Sequence, residues 1–332
     1  MKELITLAEG AGGSAGEALM KDVVFPYLGN EILAEMHDGA RLKVSGDIAF
    51  TTDSYVVSPR FFPGGSIGTL AVSGTVNDLA MTGAKARFLS AAVILEEGFP
   101  VAELKDILAD MKKAAEYAGV LFVTGDTKVA PKGKVDGVFI NTAGIGDIIE
   151  GADISPKNVK TDMKIIVSGS MGDHGATILA ARHNMKSNLK SDAAPLNKMV
   201  EKMFKASKNI AALRDPTRGG LAATLNEIAK AADVGIIIDE AKIPIKEEVK
   251  GLSDMLGFDP LTLANEGKLV AFVPKGDADA VLAAVREDEH GTDAAIIGET
   301  TDKAAGKVGM KTPLGSIRVV EMPRGIIVPR IC

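Results

Sequence analysis

Segments with the patterns of β-strands and α-helices alternate along the chain, and the alternation runs twice. In the first half, apolar residues at helical spacing predict helices over 67–80 and 101–118, the second of which stops at Gly119. Strands are predicted over 47–57, 87–96, 120–129 and 135–149. The pattern indicates an α+β half.

A polar stretch over 150–160 separates this half from a second one of the same style. After it, predicted strands over 163–168, 234–238, 268–273 and 294–299 accompany predicted helices over 174–183, 195–209, 218–231 and 277–288. We therefore predict an N-terminal glycine-rich segment and helix (1–40), a first domain (41–150), a second domain (151–320) and a C-terminal tail (321–332).

The charge balance and the single cysteine exclude several classes of protein. There are 38 basic and 44 acidic residues, and the net charge of −6 argues against a nucleic-acid partner. The only cysteine is Cys332, the last residue, so an internal disulfide is excluded and a structural zinc site is not expected. The N-terminus is too acidic for a signal peptide, and the longest apolar run, 89–95, is too short to span a bilayer. We expect a cytoplasmic protein with no membrane partner.

Glycine is frequent, with 36 among 332 residues, which predicts many tight turns and close backbone approaches. The glycines of 10–16 fit neither the P-loop nor the GxGxxG pattern. They would either offer backbone N–H groups to a phosphate ahead of a helix or form a mobile terminus.

Four aspartates beside small residues carry the strongest chemical signal: Asp47, Asp53, Asp78 and Asp126. Carboxylates repel a polyphosphate unless divalent ions lie between them, so their convergence would suit Mg–ATP. An isolated Gly-Asp is more often a turn or cap residue. Asn77-Asp78 differs, because it interrupts an otherwise apolar helix, where polar groups without partners are costly.

Three motifs of the second half place charged residues next to glycines. Asp173 and His174 follow a predicted strand and open a helix, a geometry that binds anions, although Asp173 equally suits a helix cap. The segment 214–218 precedes another helix, where its aspartate or threonine would serve as a cap. Glu266 precedes a buried strand, where a lone glutamate is commonly a turn residue.

The last twelve residues contain two prolines and a glycine, which forbid a long helix and predict an extended tail. Fully extended, such a tail reaches roughly 40 Å. Cys332 is either an incidental thiol or, beside Arg330 on this stiff tail, a tethered nucleophile or carrier, which we favour.

These motifs, taken in order, closely resemble those of the HypE family, the carbamoyl dehydratases of [NiFe]-hydrogenase maturation. The resemblance covers essentially the whole chain and rests on 74–84, 124–129, 172–175, 214–220 and 265–268. The terminal residues 329–332 are its most specific element. The wider aminoimidazole ribonucleotide synthetase (PurM-like) superfamily shares the Asn-Asp and Gly-Asp-Thr elements but lacks the terminal cysteine.

The resemblance implies two PurM-like α/β domains, an N-terminal one that binds ATP with Mg²⁺ and a C-terminal one, in a homodimer with a flexible C-terminal tail. It implies that a carbamoyltransferase of the same pathway loads a carbamoyl group onto Cys332 and that ATP drives dehydration of this group to a thiocyanate. The resulting cyanide ligand would pass to iron on a HypC–HypD scaffold.

The implied roles fall on residues that match the family's motifs. The implied metal ligands are Asp53, Asp78 and Asp126. The implied ATP-binding residues are these three with Asp47, Asn77, Thr127, Lys128 and Asp173. The implied catalytic residues are Cys332, Lys128, which stabilises charge on the transferring group, and Glu266, which removes a proton or positions the carbamoyl nitrogen. His174 and Arg218 are lesser candidates.

Two other functions stay open. One is a small-molecule kinase or synthetase of the same superfamily, for which Cys332→Ala would leave the activity intact. The other is a non-catalytic assembly protein whose tail docks on a partner or carries metal, in which case no ATP would be consumed.

Overall fold

The computed structural model describes residues 3–11, 13–35, 39–44 and 46–323. The chain folds around two large β-sheets, on each of which helices pack. The N-terminal region is a run of short helical pieces: α1 (Leu7–Gly10), α2 (Gly13–Leu19), a π-helical turn (Met20–Val24), α3 (Phe25–Leu28) and a 3₁₀ turn (Leu33–Glu35). Of the glycines in 10–16 that the structure describes, Gly10 ends α1, Gly13 begins α2 and Gly16 lies within it. A phosphate-binding role for this segment stays a prediction.

The first half contains β1 (Ile48–Tyr55), β2 (Phe61–Phe62), β3 (Gly65–Ser66), α4 (Ile67–Met81), β4 (Ala84–Glu96), α5 (Val101–Ala118), β5 (Leu121–Ala130) and β6 (Val138–Ile148). Its main sheet has the order β1-β6-β4-β5, in which only β4 and β5 are parallel. Strands β2 and β3 pair separately, and Ser66, the last residue of β3, caps α4 by accepting the N–H groups of Gly68 and Thr69.

Helix α4 is buried on almost every side, which its largely apolar sequence allows. It packs on the sheet and against α5, whose apolar side also contacts the sheet and which ends at Gly119 in the left-handed conformation. The other face of the sheet is open in the described part of the chain, since alternate residues of β1 are exposed.

The second half contains β7 (Met163–Val167), α6 (Asp173–Arg182), α7 (Asn197–Ala206), β8 (Ala212–Arg214), α8 (Gly220–Ala232), β9 (Gly235–Asp239), α9 (Glu247–Leu256), β10 (Val270–Pro274), α10 (Ala278–Arg286), β11 (Ala295–Thr301), β12 (Val308–Lys311) and β13 (Ile317–Val319). The seven-stranded sheet has the order β13-β12-β9-β11-β7-β10-β8. Helix α8 packs on one face and α7 with α10 on the other, because side chains alternate between the two faces along each strand.

The two halves share apolar contacts rather than meeting only through a linker. Ala80 and Met81 at the end of α4 belong to the same buried cluster as Phe204 of α7. Asn197 at the start of α7 donates from Nδ2 to the carbonyl of Ala118, at 2.8 Å. The side of the first sheet that α4 covers is therefore the side that faces the second half.

The α+β class is confirmed, and each predicted strand and helix has a counterpart. Helix α9 and the short strands β2, β3, β8, β12 and β13 were not predicted. The boundaries at 40, 150 and 320 stay predictions. Among the described helices, none combines the length and the hydropathy that a membrane span requires.

Candidate active site

Four carboxylates converge where the two halves meet. Asp53 lies on β1, Asp78 on α4, Asp215 in the loop before α8, and Glu266 in the loop before β10. Burial raises the pKa of both Asp215 and Glu266, and the negative charges of Asp53 and Asp78 add to it, so the four groups act on one another across the cleft.

Asp78 is tied to the first sheet by a hydrogen bond, since Thr51 Oγ1 donates to its Oδ2 at 2.9 Å. Burial raises the pKa of Asp78 and the charge of Asp53 adds to this, whereas the Thr51 hydrogen bond and the charges of Arg214 and Arg218 oppose it. Arg218 is exposed, so it acts from the rim of the cleft.

Asp215 is a site residue that the sequence analysis considered only as a helix cap. Helix α8 instead begins after Gly219, and neither Asp215 nor Thr217 caps it. Burial and, next, the charge of Asp78 raise the pKa of Asp215 to about 7, so this carboxyl is about half protonated near neutral pH. The signal that could have found it was its position in a short segment dense in charge and glycine just ahead of a helix.

The loop carrying Asp215 packs closely on the segment that leads to Glu266. Gly220 has a φ of +60°, and a Cβ on it would lie 2.5 Å from the carbonyl oxygen of Leu263. A side chain at this position would push the two loops apart and separate their carboxyl groups.

Glu266 is held in place by hydrogen bonds to its backbone, and its carboxyl group lies on the side of the cleft. Its N–H donates to Asp192 Oδ1 at 3.1 Å, and its carbonyl accepts from Asn77 Nδ2 at 3.3 Å. The side chain is buried, and Oε1 has no hydrogen-bond partner within the described parts of the chain. Burial, then the charges of Asp215 and Asp192, raise the pKa of Glu266 well above its usual range.

The side chain of Asn77 links the two halves by hydrogen bonds. Besides Glu266, its Nδ2 donates to the carbonyl of Ala194 at 3.0 Å, and its Oδ1 accepts the N–H of Leu196 at 2.7 Å. Backbone groups thus occupy both hydrogens of this amide, which explains why a polar residue stands inside an apolar helix. Its assignment as an ATP-binding residue stays a prediction.

Asp126, Thr127 and Lys128 lie on β5, the far edge of the sheet from Asp53. Register places Asp126 in one row with Ala92, Asn141 and Ser54, so three strand spacings, about 14 Å, separate it from β1. Asp126 and Lys128 also project from the open face with Ser54, whereas Asp53 projects from the α4 face. Lys128 Nζ pairs with Asp126 Oδ1 at 3.2 Å in solvent.

A single chain therefore does not assemble the predicted metal triad of Asp53, Asp78 and Asp126. Within the ranges that the structure describes, no group of three or more histidine or acidic side chains is placed to hold a metal ion. Asp47 is remote as well, because it lies exposed just before β1 and six residues of extended strand, about 20 Å, separate it from Asp53.

Asp173 and His174 lie behind the cleft. Asp173 does not cap α6; its Oδ2 accepts from Ser170 Oγ at 2.6 Å and from Lys246 Nζ at 2.7 Å. His174 Nδ1 bonds to Ser191 Oγ at 2.7 Å, and burial lowers the pKa of this histidine to about 3. His174 is therefore neutral and structural in character. Asp173 touches a polar cavity rather than the four carboxylates.

Arg330 and Cys332 lie outside the described residues, so the predicted tail and its thiol stay predictions. Asp192, which contacts Glu266, was not singled out from sequence; it stands in a polar run, 186–192, without periodicity or motif. The cleft as described combines an excess of negative charge, suited to a cation-bound polyphosphate, with a buried carboxyl that can exchange a proton.

Comparison with known proteins agrees with this geometry. The models for AIR synthase related proteins match in order, the N-terminal domain over 36–148 and the C-terminal domain over 160–311. The carbamoyl dehydratase HypE of Rhodobacter capsulatus is 49% identical over 335 residues, which cover 99% of this chain and 98% of that protein.

Solved structures show the same relationship. One of the hydrogenase maturation protein HypE in complex with ATP matches with a TM-score of 0.95 and 47% identity, covering 98% of this chain and 99% of the other. One of a HypE–HypF complex matches with a TM-score of 0.82 and 48% identity, covering 92% and 100%. The two halves are thus the two PurM-like domains that the sequence resemblance predicted, and the chain belongs to the HypE family of AIR synthase related proteins.

Proposed function

We propose that this chain uses ATP to dehydrate a carbamoyl group carried on Cys332 to a thiocyanate, which supplies cyanide ligands for the iron of [NiFe] hydrogenases. The observation that carries the proposal is the cleft in which the charges of Asp53, Asp78 and Asp215 all act on the buried carboxyl of Glu266. Family membership adds to it, because relatives of nearly full coverage are carbamoyl dehydratases and one solved relative binds ATP.

The chemistry requires both parts of this cleft. An amide oxygen is a poor leaving group, so the carbamoyl oxygen first attacks the γ-phosphorus of ATP and ADP leaves. The nitrogen then loses its two protons, the C–O bond breaks, and phosphate departs as the C≡N bond forms. The products are the thiocyanate, ADP, phosphate and one net proton, so the oxygen lost from the carbamoyl group ends in the phosphate.

Glu266 is the residue that we assign to the nitrogen protons. Its carboxyl is buried, it has an oxygen without a partner among the described residues, and its backbone is fixed from both sides by Asn77 and Asp192. A fixed, dry carboxyl is well placed to exchange a proton with a bound amide.

The carboxylates of the cleft suit Mg²⁺ bound together with the phosphates of ATP. Burial is the main cause of the raised pKa values of Asp78 and Asp215, and neighbouring negative charges, which a divalent cation would relieve, add to it. Mg²⁺ commonly takes one or two carboxylates and completes its shell with phosphate oxygens and water, so Asp53 and Asp78, with Asp215 nearby, fit it. When bound, it would neutralise the phosphate charge during transfer.

A homodimer would bring Asp126, Thr127 and Lys128 to this cleft from a second copy. Asp126 and Lys128 project from the open face, which also exposes apolar side chains: Phe50 is 68% exposed and Ile48 is 46% exposed. A second copy packed on this face would cover that surface. It would also present the other copy's Lys128 to the charge that develops on the transferring phosphoryl group.

Two partners complete the proposal. A solved complex of HypE with HypF supports a carbamoyltransferase as the donor that loads Cys332. A HypC–HypD scaffold would receive the cyanide.

The decisive experiment is mass spectrometry of the C-terminal peptide after incubation with the transferase, a carbamoyl source and ATP. We expect Cys332 to gain a carbamoyl group and then to lose one water, with Cys332→Ser as the control that does neither. A peptide that keeps its carbamoyl group unchanged in the presence of ATP would refute the dehydration.

A further inference from the structure

The two oxygens of the Asp78 carboxyl group have different surroundings. Thr51 Oγ1 donates a hydrogen bond to Oδ2 at 2.9 Å, whereas Oδ1 accepts no hydrogen bond within the part of the chain that the structure describes. One oxygen is thus held by a neighbouring side chain, and the other is available to a ligand.

The position of α4 on β1 is fixed by contacts that do not involve Thr51. The hydroxyl groups of Tyr55 and Thr75 are hydrogen-bonded at 3.3 Å. Next to them, Gly74 leaves room for the strand, because a side chain at this position would collide with the Tyr55 hydroxyl. The Thr51 hydroxyl therefore sets the direction of the Asp78 carboxyl group rather than the placement of the helix.

Thr51 also lies beside the second proposed cation ligand. Alternation along β1 places Thr51 and Asp53 on the α4 face, about 7 Å apart along the strand. In the described stretch 70–81 of α4, Asp78 is the one residue that is not buried, so its carboxyl group reaches the cleft. The hydrogen bond from Thr51 therefore holds this group on the same face of the sheet as Asp53.

A carboxylate that offers one oxygen suits some cations better than others. Mg²⁺ demands near-octahedral geometry with short bonds and keeps several waters, whereas Ca²⁺ takes more oxygens at longer distances and accepts both oxygens of one carboxylate. A hydrogen bond to Oδ2 stabilises the charge on that oxygen and opposes a rotation that would offer both oxygens to one ion. The arrangement at Asp78 therefore fits Mg²⁺.

We propose that Thr51 determines the cation specificity of the cleft: its hydroxyl presents Asp78 through Oδ1 alone to the cation bound with ATP, which favours Mg²⁺ over Ca²⁺. The inference rests on the proposed use of ATP with Mg²⁺. Thr51 acts through Asp78 and is therefore a positioning residue.

The test compares three variants of the full-length protein. Thr51→Val removes the hydroxyl and keeps the shape of the side chain, whereas Thr51→Ser keeps the hydroxyl and should behave as the wild type. Thr82→Val is the matched control, because Thr82 also donates one hydrogen bond, from Oγ1 to the carbonyl of Leu79 at 2.7 Å, but lies exposed at the end of α4.

The first measurement needs no turnover. With the protein in excess over AMPPNP, an ATP analogue that is not hydrolysed, electron paramagnetic resonance distinguishes bound from free Mn²⁺, and Mg²⁺ or Ca²⁺ is added to displace it. The ratio of the two displacement midpoints measures the specificity. In Thr51→Val we expect this ratio to move toward Ca²⁺ by about tenfold, the effect of one hydrogen bond to a charged group. Thr51→Ser and Thr82→Val should keep the wild-type ratio.

The second measurement follows the Asp78 carboxylate itself by infrared spectroscopy. The separation between the two carboxylate stretching bands is wide when one oxygen binds a cation and narrow when both bind it. Labelling with ¹³C-aspartate and loss of the signal in Asp78→Asn assign the bands. With AMPPNP and Ca²⁺, we expect a wide separation in the wild type and a narrow one in Thr51→Val.

The outcomes separate this inference from the proposed function. Equal displacement ratios in Thr51→Val and the wild type would overturn the role of Thr51 and leave the dehydration standing. If Thr51→Val does not fold, a narrow band separation in the wild type overturns it as well. A wild-type protein that retains no Mn²⁺ with AMPPNP would refute both the role of Thr51 and the proposed use of ATP with Mg²⁺.

Discussion

The two faces of the four-stranded sheet carry the same residue type in opposite circumstances. On the α4 face, Asp53 lies in a crowded cleft and helps to raise the pKa of its neighbours. On the open face, Asp126 lies in solvent and pairs with Lys128. The motifs around the two residues look equally functional in the sequence, yet the period of two along a strand sends them to opposite sides. The difference teaches that the two motifs can serve one site only if, as we propose, a second copy of the chain supplies one of them.

The prediction with the largest expected effect tests whether the residues of one active site come from two chains or from one. Lys128→Ala and Asp78→Asn should each lower the dehydration rate by about 100-fold or more. The first removes the positive charge that stabilises the transferring phosphoryl group, and the second removes a carboxylate proposed to bind Mg²⁺. If two copies share each site, mixed dimers of the two variants contain one intact site. Random assembly should then restore about a quarter of the wild-type rate.

The measurement is the rate of water loss after co-expression or after unfolding and refolding together. A mixture no faster than the separate variants would place all the residues of one site within one chain. Mixing each variant with itself provides the control.

The next prediction concerns the open face alone. Phe50→Glu should convert a homodimer to a monomer, because it buries a charge in the proposed contact. Size-exclusion chromatography with light scattering measures the mass. Leu314→Glu is the matched control, since Leu314 is 96% exposed in the turn between β12 and β13, away from that face. An unchanged mass for Phe50→Glu would show that the dimer, if formed, uses another surface.

On the cleft face, the expected effect is on stability and depends on pH. The pKa of Asp215 is raised to about 7 in the folded chain, so folding loses stability as the pH rises from about 4 to 7 and the unfolded chain releases the proton first. Asp215→Asn should therefore be more stable than the wild type at pH 8, by about 1 kcal/mol after allowance for solvent, and equally stable near pH 4.

Urea unfolding at the two pH values measures this difference. Asp277→Asn should behave in the opposite way, because hydrogen bonds from Ser207 and Asn209 lower the pKa of Asp277 and stabilise its anion. Equal pH dependence in the two variants would contradict the crowding that we assign to the cleft.

The smallest effect is expected at Asp47. It is exposed and about 20 Å from Asp53 along the strand, so Asp47→Asn should change the dehydration rate by less than about twofold. A steady-state rate at saturating ATP decides it. A loss as large as that of Asp78→Asn would mean that a second copy brings Asp47 to the cleft.

Local patterns were enough to predict most of the fold and part of the site. The caps and spacing of α4 and α5 are legible in the chain, and so are the strands of both sheets. The misses were elements without such signals, notably the two- and three-residue strands β2, β3, β8 and β13, which exist only through their neighbours.

At the site, Asp53, Asp78 and Glu266 were named from the resemblance, and the structure brings them together. Asp215 was interpreted as a cap because its role depends on a loop contact made possible by Gly220. Asp192 had no signal, since its meeting with Glu266 joins residues 74 positions apart. The distance of Asp126 and Lys128 from the cleft follows from strand order, and their position on the other face follows from register, neither of which a local motif encodes.

Helix α4 contributes buried residues to the cores of both halves, which limits how the two halves can be separated in evolution. Its N-terminal part completes the first core, its end completes a cluster of the second, and Asn77 between them bonds to the backbone beyond residue 190. A gene divided near residue 150 would yield two fragments, each with an unfinished interior. The halves resemble separate modules, but they can be exchanged between lineages only as a pair.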